Sequence, residues 1–387
     1  MAGRFPAVLV TGARQVGKTS LLRHLFPKAS YLTLDFPANA DAARTAPEEL
    51  LERFPPQVII DEVQYAPSIL RYVKARIDGD RRPGQYLLTG SQVFALMEGA
   101  SESLAGRCGV LNLHTLSYAE IVAAGSATDE PRYIQTGWYP ELHTGADAEL
   151  WFPSYVATYL ERDVRNVLRV VDLQDFHRFV RACSLRNAQV LNYTDIARDT
   201  GIAPNTARNW MGLLQTSGVI SLVEPYFGNR TKRLIKSPKI MFMDTGLAAF
   251  LAGFRTADAL FGSPHAGPFW ESHVLGQVVR WYAGRGRSAP VYYWRTVAGQ
   301  EVDMVIELAG GAAVGVECKW TERPLPGLPQ RNDWSSTGRS CWTGTCPFTR
   351  TRWISSTALL SNIPGTDFFR PFSGLPVPER SRPRRAG

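Results

Sequence analysis

The chain has 387 residues, 44% of them hydrophobic, and a formal net charge of +8 at pH 7; this is length for two or three domains and enough apolar content for real cores. From Thr321 onward there are ten Arg, no Lys and four acids, so six of the eight excess charges lie in the tail, and bulk charge does not by itself make the body a nucleic-acid binder. No stretch is apolar enough for a membrane span and no secretory signal precedes the first strand, while five scattered cysteines fit free thiols in a reducing cytoplasm.

Ala7–Val10 is a short apolar run of the kind that forms a buried parallel strand. It leads into Gly12-Ala13-Arg14-Gln15-Val16-Gly17-Lys18-Thr19, two glycines separated by four residues and followed by Lys and Thr, the P-loop pattern. Ser20–Phe26 then reads as an amphipathic helix stopped by Pro27. Gly12 and Gly17 let the backbone turn and approach phosphates closely. The stretch Gln15, Val16, Gly17, Lys18, Thr19 and Ser20 lines the positive end of a helix, where free N–H groups attract anions. In this reading Lys18 reaches the β- and γ-phosphates of ATP and the Thr19 hydroxyl holds Mg2+. The alternative is a chance match in a glycine-rich loop, against which the flanking strand and helix speak.

Tyr31–Asp35 is a second strand, and Ala46–Phe54 a helix with Pro47 near its start. Gln57–Gln64 contains an apolar strand ending in Asp61-Glu62, the Walker B pattern. Asp61 is placed to hold Mg2+ and Glu62 to polarise an attacking water; the plainer reading is a turn and a cap. Gln85–Ser91 is a further strand whose Thr89 or Ser91 can sense a γ-phosphate from beside Walker B, or else cap a helix. In Ser103-Leu104-Ala105-Gly106-Arg107, Arg107 is an arginine finger acting in a neighbouring copy of a homo-oligomer, or a structural ion pair.

Thr-Gly-Ala-Arg-Gln-Val-Gly-Lys-Thr-Ser, Ile-Ile-Asp-Glu-Val-Gln, Leu-Leu-Thr-Gly-Ser and Leu-Ala-Gly-Arg, in this order, resemble one group of prokaryotic AAA+-like ATP-binding proteins. The group pairs a P-loop ATPase with a C-terminal domain of unknown function, and the resemblance runs from Phe5 to about Thr321. It implies an α/β fold: a RecA/AAA-like parallel sheet with strand order 5-1-4-3-2, then a helical winged-helix segment, then an α/β nuclease-like domain. The expected boundaries are 1–130 for the ATPase, 131–240 for the helical linker and winged helix, 241–322 for the nuclease-like unit and 323–387 for the tail.

Gly137-Trp138-Tyr139-Pro140 marks a turn, Asp147–Val170 reads as one long helix and Asp175–Cys183 as another. Thr194–Asp199, the glycine turn at Gly201 and Pro204–Leu214 form a helix-turn-helix pattern. Ser221–Glu224 and Arg233–Ile235 are expected as wing strands. If the module binds DNA, Asn205, Arg208 and Asn209 reach base edges, and Arg230, Lys232, Arg233, Lys236 and Lys239 contact phosphates. Otherwise it is a packing or dimer module.

Met241–Leu247 is expected to open the last unit, followed by a helix from Trp270 and strands Tyr292–Arg295, Gln300–Glu307 and Ala313–Trp320. Glu317 and Lys319 share a strand face, Asp303 lies on the neighbouring strand, and Glu271 approaches from the helix. That set looks like a PD-(D/E)xK core, in which Glu271, Asp303 and Glu317 bind a metal ion and Lys319 positions water; the alternative is a cross-strand ion pair on an exposed face. From Pro324 on, proline-broken, arginine-rich sequence shows no helical or strand period, and the tail reads as disordered or non-native. The function expected is Mg2+-dependent ATP binding with slow hydrolysis, coupled to a module that acts on DNA. The alternative is a regulatory ATP switch or assembly protein in which the nuclease-like unit only contacts partners.

Overall fold

The computed structural model describes residues 1–90, 104–125, 129–160, 173–227, 237–295, 301–308, 313–320, 341–342 and 351–353. Five short strands build the first sheet: β1 (Ala7–Thr11), β2 (Ser30–Thr33), β3 (Val58–Asp61), β4 (Tyr86–Thr89) and β5 (Cys108–Asn112). All pair in parallel, in the order β2-β3-β4-β1-β5, which is the 5-1-4-3-2 order expected from the resemblance. Alternate residues of each strand feed opposite faces. Ala7, Leu9, Ile60 and Leu88 join one apolar core, whereas Val8, Val10, Ile59 and Leu87 join the other.

Helices α1 (Lys18–Leu25), α2 (Pro37–Thr45), α3 (Pro47–Arg53) and α4 (Ile69–Gly79) cover this sheet. The first brings Leu22 to the Val8–Val10 face. On the other face, α4 buries Ile69, Val73 and Ile77, a stripe four residues apart. Because parallel strands all run one way, the C-terminal ends of β1, β3 and β4 gather the P-loop, Asp61 and Thr89 at one edge.

After β5, α5 (Tyr118–Ala123) and α6 (Glu130–Thr136) lead to the turn at Gly137. The long helix expected over 147–170 is interrupted: α7 (Ala148–Tyr155) contains Pro153 and passes into a wider π-turn at Val156–Leu160. Proline has no N–H to donate, so it breaks the regular ladder there; residues 161–170 of the expected helix lie outside the described residues. Helices α8 (Leu173–Ser184), α9 (Tyr193–Thr200) and α10 (Pro204–Thr216) follow, with Gly201 at φ 75° closing α9. Trp210 of α10 meets Phe176 and Phe179 of α8 edge-on at 5.4 Å each.

The first expected wing strand is present. β6 (Ile220–Val223) runs antiparallel to β7 (Lys239–Phe242), while Arg233–Ile235 lies outside the described residues. β7 also bonds residues 188–191 on its other side, through Ala188 N–H to Ile240 O at 2.7 Å and Ile240 N–H to Gln189 O at 2.9 Å. Its four residues are all buried, as a strand flanked on both sides requires. The expected boundary at 240/241 therefore falls inside a strand that belongs to the middle unit.

The C-terminal unit contains α11 (Thr245–Ala252), α12 (Ala257–Phe261) and α13 (Ala266–Ala283), then β8 (Val291–Arg295), β9 (Glu301–Glu307) and β10 (Ala313–Cys318) as an antiparallel sheet. The tail, expected to lack strands, contributes two short ones along β10: β11 (Cys341–Trp342) and β12 (Thr351–Trp353).

The units share one core, in which Val16 of the P-loop, Trp138, Trp210, Phe242, Leu247 and Val316 are all buried. The tightest seam is between residues 137–138 and 244–247. Asp244 accepts the N–H of Trp138 at 2.9 Å and caps α11 by accepting the N–H of Leu247 at 3.0 Å. The Trp138 indole N–H bonds Thr245 Oγ1 at 2.9 Å. Gly137 and Gly246 make this approach possible: a Cβ on Gly246 would lie 2.3 Å from Gly137 Cα. Gly246→Ala should therefore lower stability by about 1–3 kcal/mol, the cost of overpacking, and a thermal unfolding scan of the full chain should show a lower midpoint.

Candidate functional site

The P-loop turns through left-handed backbone at Gln15 (φ 63°) and Gly17 (φ 89°), and Gly12 sits at φ 137°. A Cβ on Gly12 would lie 2.0 Å from the carbonyl oxygen of Leu113, so only glycine fits there. Gly17 caps α1 without a side-chain acceptor, and the first turn of α1 carries no acid. Its leading N–H groups and the positive end of its dipole thus face outward as an anion cradle. Lys18 is buried, and its ammonium donates to the carbonyls of Gly12 at 3.1 Å and Ala13 at 2.8 Å. Burial lowers its pKa to about 8; the charge of Glu62 opposes that shift and Arg14 adds to it.

Asp61, the last residue of β3, collects hydroxyl groups from three other elements. Thr19 Oγ1 donates to Oδ1 at 2.7 Å, and Thr89 Oγ1 donates to the same oxygen. The Tyr31 hydroxyl donates to Oδ2 at 2.8 Å. Thr89, fully buried at the end of β4, also accepts the Glu62 N–H at 3.1 Å, so one hydroxyl ties both Walker B acids to the neighbouring strand. Glu62 adopts φ 56° and ψ 49°, unfavourable for a residue with a Cβ, and its carboxylate accepts from Gln64 Nε2. Strain of that kind, held by a specific bond, is found where an acid must be aimed.

These residues fit a nucleoside triphosphate with a magnesium ion. The cradle supplies N–H groups, Lys18 a cation, and Thr19 and Asp61 hard oxygen donors 2.7 Å apart. Gln15, Val16 and Ser20 belong to the same turn and first helical residues, with Val16 buried toward the middle unit. Ser91 lies outside the described residues, which leaves Thr89 as the strand-end hydroxyl seen at the site. The sequence reading missed Tyr31. The expected strand order puts β2 beside β3, but only the register shows that its side chain rises to Asp61.

Arg107 immediately precedes β5, whose first residue Cys108 lies opposite Ala7, the first of β1, whereas the P-loop follows the last. Five residues at ~3.3 Å each put it about 16 Å from the nucleotide edge. Its guanidinium instead holds Asp78, with Nε 2.5 Å from Oδ1 and Nη2 3.0 Å from Oδ2, and lowers the pKa of that carboxyl. Any action in a neighbouring copy would require Arg107 to release Asp78.

In the C-terminal unit, Asp303 of β9 lies near enough to Glu271 of α13 and to Glu317 of β10 for its charge to add to burial in raising the pKa of each. Among the described residues no three His, Cys, Asp or Glu side chains come together closely enough to hold a metal ion. Two lysines are drawn into the acids instead. Lys239, expected to reach out to phosphate, is buried on β7 and contacts Glu271 at 2.9 Å and Glu301 at 2.5 Å. Burial disfavours its charge, yet Glu271 and Glu301 hold its pKa above the ordinary range. Lys319 lies 2.5 Å from Glu317 and 3.9 Å from Asp303, and Asp303 also accepts the Cys318 N–H at 2.7 Å. Burial raises the pKa of Asp303, and burial together with the charge of Asp303 raises that of Glu317.

On α10, Asn205, Arg208 and Asn209 share an exposed face, with Arg208 over the Tyr193 ring at 5.2 Å. Nearby basic charge is engaged within the unit: Arg186 pairs with Asp199, and Arg198 with Asp195 and Asp199. Arg230, Lys232, Arg233 and Lys236 lie outside the described residues.

The position of Lys18 has a consequence for pH. Its ammonium is charged below about pH 8 and loses its proton above it in the free protein, and a bound phosphate favours the charged form. Nucleotide affinity should be level below pH 8 and fall as pH rises past it, by up to about tenfold per unit. In Lys18→Ala, binding should be weak and flat across the same range, as titration calorimetry from about pH 6.5 to 9.5 would show.

A sequence profile described as an AAA domain matches residues 4–122, and profiles described as domains of unknown function match 127–258 (DUF8612) and 266–329 (DUF4143). Among solved structures, the chain is similar to the Walker-type ATPase PABY2304 of Pyrococcus abyssi, with 16% identity, 64% of this chain and 91% of that one covered, and a TM-score of 0.42. It is more distantly similar to PH0952 of Pyrococcus horikoshii, a signal transduction ATPase with numerous domains and a tetratricopeptide repeat sensor, with 14% identity, 73% and 46% covered, and a TM-score of 0.26. Uncharacterized protein Rv2008c of Mycobacterium tuberculosis and uncharacterized protein Mb2031c of Mycobacterium bovis are each 33% identical over 324 residues, covering 83% of this chain and 72% of theirs. With that identity over that length, and with the P-loop geometry above, the chain belongs to the family of these two mycobacterial proteins and carries a P-loop ATPase domain of the AAA type.

Proposed function

We propose that the protein binds ATP with Mg2+, hydrolyses it slowly, and uses nucleotide state to set the docking of its downstream units. The observation that carries this reading is the contact between the P-loop and the end of α10. Gly218, at φ 73° in the turn after α10, faces Ala13: a Cβ there would come to ordinary van der Waals distance, 3.6 Å from Ala13 N and 3.7 Å from Ala13 Cβ, and Ala13, Val16, Gly218 and Val219 line one cavity. Val16 of the same loop is buried in the core shared with the downstream units. Lys18 commits two of its three ammonium donors to the Gly12 and Ala13 carbonyls, and in this reading a bound phosphate draws it away from Ala13. Ala13 packs against the core shared with the downstream units and faces the turn after α10.

In this reading Lys18 is the phosphate cation, Thr19 and Asp61 hold the metal ion, and Glu62 orients the attacking water. Bound Mg-ATP supplies the phosphate charge and the hydrolysable bond. Helices α8–α10 with β6 and β7 act as a winged-helix module used for docking. In this reading the α13–β8–β9–β10 unit serves assembly, which is supported by Lys239, drawn inside the chain to hold Glu271 and Glu301. A DNA-cutting role finds less support, since Glu271 there is held by Lys239 and the helix-turn-helix face is only lightly charged.

Two measurements test this. Mg-ATP should alter backbone hydrogen exchange in residues 212–223, and Ala13→Gly should keep nucleotide binding while weakening that change. Unchanged exchange in the wild type, with binding shown in the same sample, would refute the coupling. In a supercoiled-plasmid assay with Mg2+ or Mn2+, wild type and Asp303→Ala should be equally inert. Nicking by the wild type that Asp303→Ala or Lys319→Ala abolishes would make the protein an active nuclease.

A further inference from the structure

We propose that Tyr31 is a positioning residue for Asp61: its phenol O–H pins one carboxylate oxygen so that the other stays directed at Thr19 and Thr89. This rests on the ATP reading above and extends it to a residue outside the Walker motifs.

Tyr31 pairs with Ile59, two residues before Asp61 along β3. At ~3.3 Å per residue the Tyr31 backbone lies about 7 Å short of the carboxylate, so only a long side chain on β2 spans the gap. The Tyr31 hydroxyl does so, ending 2.8 Å from Oδ2. Thr19 and Thr89 both bond Oδ1, so without Tyr31 the carboxylate would be held through one oxygen and free to rotate about it. Fixing both oxygens sets the plane of the group, and sites of this kind tolerate only small errors in ligand orientation.

The ring itself is supported. The Arg23 guanidinium lies over it, 5.0 Å from the centroid, and the ring lines a cavity of about 440 Å³ together with Arg23, His24, Phe26 and Ile59. A phenol is a neutral donor at neutral pH and adds no negative charge beside Asp61.

Tyr31→Phe removes only the hydroxyl and keeps the ring. The thermal midpoint and Mg2+-free ATP affinity should be unchanged. The Mg2+ concentration that half-saturates the gain in ATP affinity should rise about three- to tenfold, and kcat should fall several-fold with little change in KM. Tyr31→Leu, which also loses the ring, should show the same Mg2+ shift with a lower thermal midpoint. A Tyr31→Phe protein with wild-type Mg2+ dependence and kcat overturns the inference while leaving the ATP reading intact. A wild type that binds but does not hydrolyse ATP still tests Tyr31 through the Mg2+ shift in affinity. Failure of the wild type to bind nucleotide at all overturns both.

Discussion

A single buried cation, Arg280, fixes the ATPase sheet against everything that follows it. It lies on α13, yet it bonds the segment just after β5: Nε donates to Thr115 O at 3.0 Å and Nη2 to Thr115 Oγ1 at 2.6 Å. The same nitrogen donates to Met243 O at 2.7 Å, next to the seam at Asp244. Burial lowers its pKa only to about 10, with Asp244 opposing, so it stays charged at neutral pH. A guanidinium out of water is tolerable only when its donors are satisfied, so the cluster forms as a unit or not at all. Gly276, one turn earlier, leaves the space: a Cβ there would lie 2.4 Å from Arg280 Nη1. His114, beside the cluster, is kept neutral, its pKa lowered to about 4 by burial and by the charge of Arg280. From this seam the rest follows, since it sets how Leu113 backs Gly12 and how the turn at Gly218 meets Ala13.

The nucleotide site works against local stability. Lys18 is held charged in a buried place that favours its neutral form, and Glu62 is held in a backbone region that disfavours it. The sign for Lys18 is definite. Its pKa falls from 10.5 in the unfolded chain to about 8, so the cost is complete below pH 8 and disappears above 10.5. Neither feature helps the fold, and both place charge where phosphate, metal ion and water would need it. In the C-terminal cluster Lys239 and Lys319 answer the acids from within the chain, yet burial still raises the pKa of Glu271 to about 8 and lifts those of Asp303 and Glu317.

The sequence made the P-loop and Walker B legible because their chemistry is backbone chemistry. Gly12 and Gly17 are needed at positive φ, and strand and helix flank them on either side, so local pattern carries the whole site. The order of the five strands came from the family resemblance, not from periodicity. What stayed hidden depended on distant partners. Tyr31 reads as an ordinary strand residue until β2 is registered on β3. Lys239, in a Lys-Ser-Pro-Lys phrase, looks solvated until β7 is seen bonded on both edges, which turns its side chain inward. Arg107 looks like a finger because nothing in the sequence announces Asp78, 29 residues earlier, as its partner. Pro153, by contrast, is a visible breaker, and the π-turn after it follows from its missing N–H.

These contacts also limit what a nucleotide signal can look like. A ligand shifts a conformation only by its difference in affinity for the two states. Were a bound phosphate to draw Lys18 off its two carbonyls, hydrogen bonds to charged groups, worth about 1.5–3 kcal/mol each, would be exchanged, which puts a coupling of about 1–3 kcal/mol within reach. Breaking the Arg280 cluster would strand a buried charge, at a cost of about 3–5 kcal/mol, which exceeds that coupling. The seam at Thr115, Met243 and Asp244 should therefore hold in both states, with motion confined to Ala13, Val16 and the Gly218 turn. The geometry favours a small slide of α10 over the P-loop rather than a hinged separation of units. That is why the end of α10, and not the linker after β5, is where a change of nucleotide state should be felt.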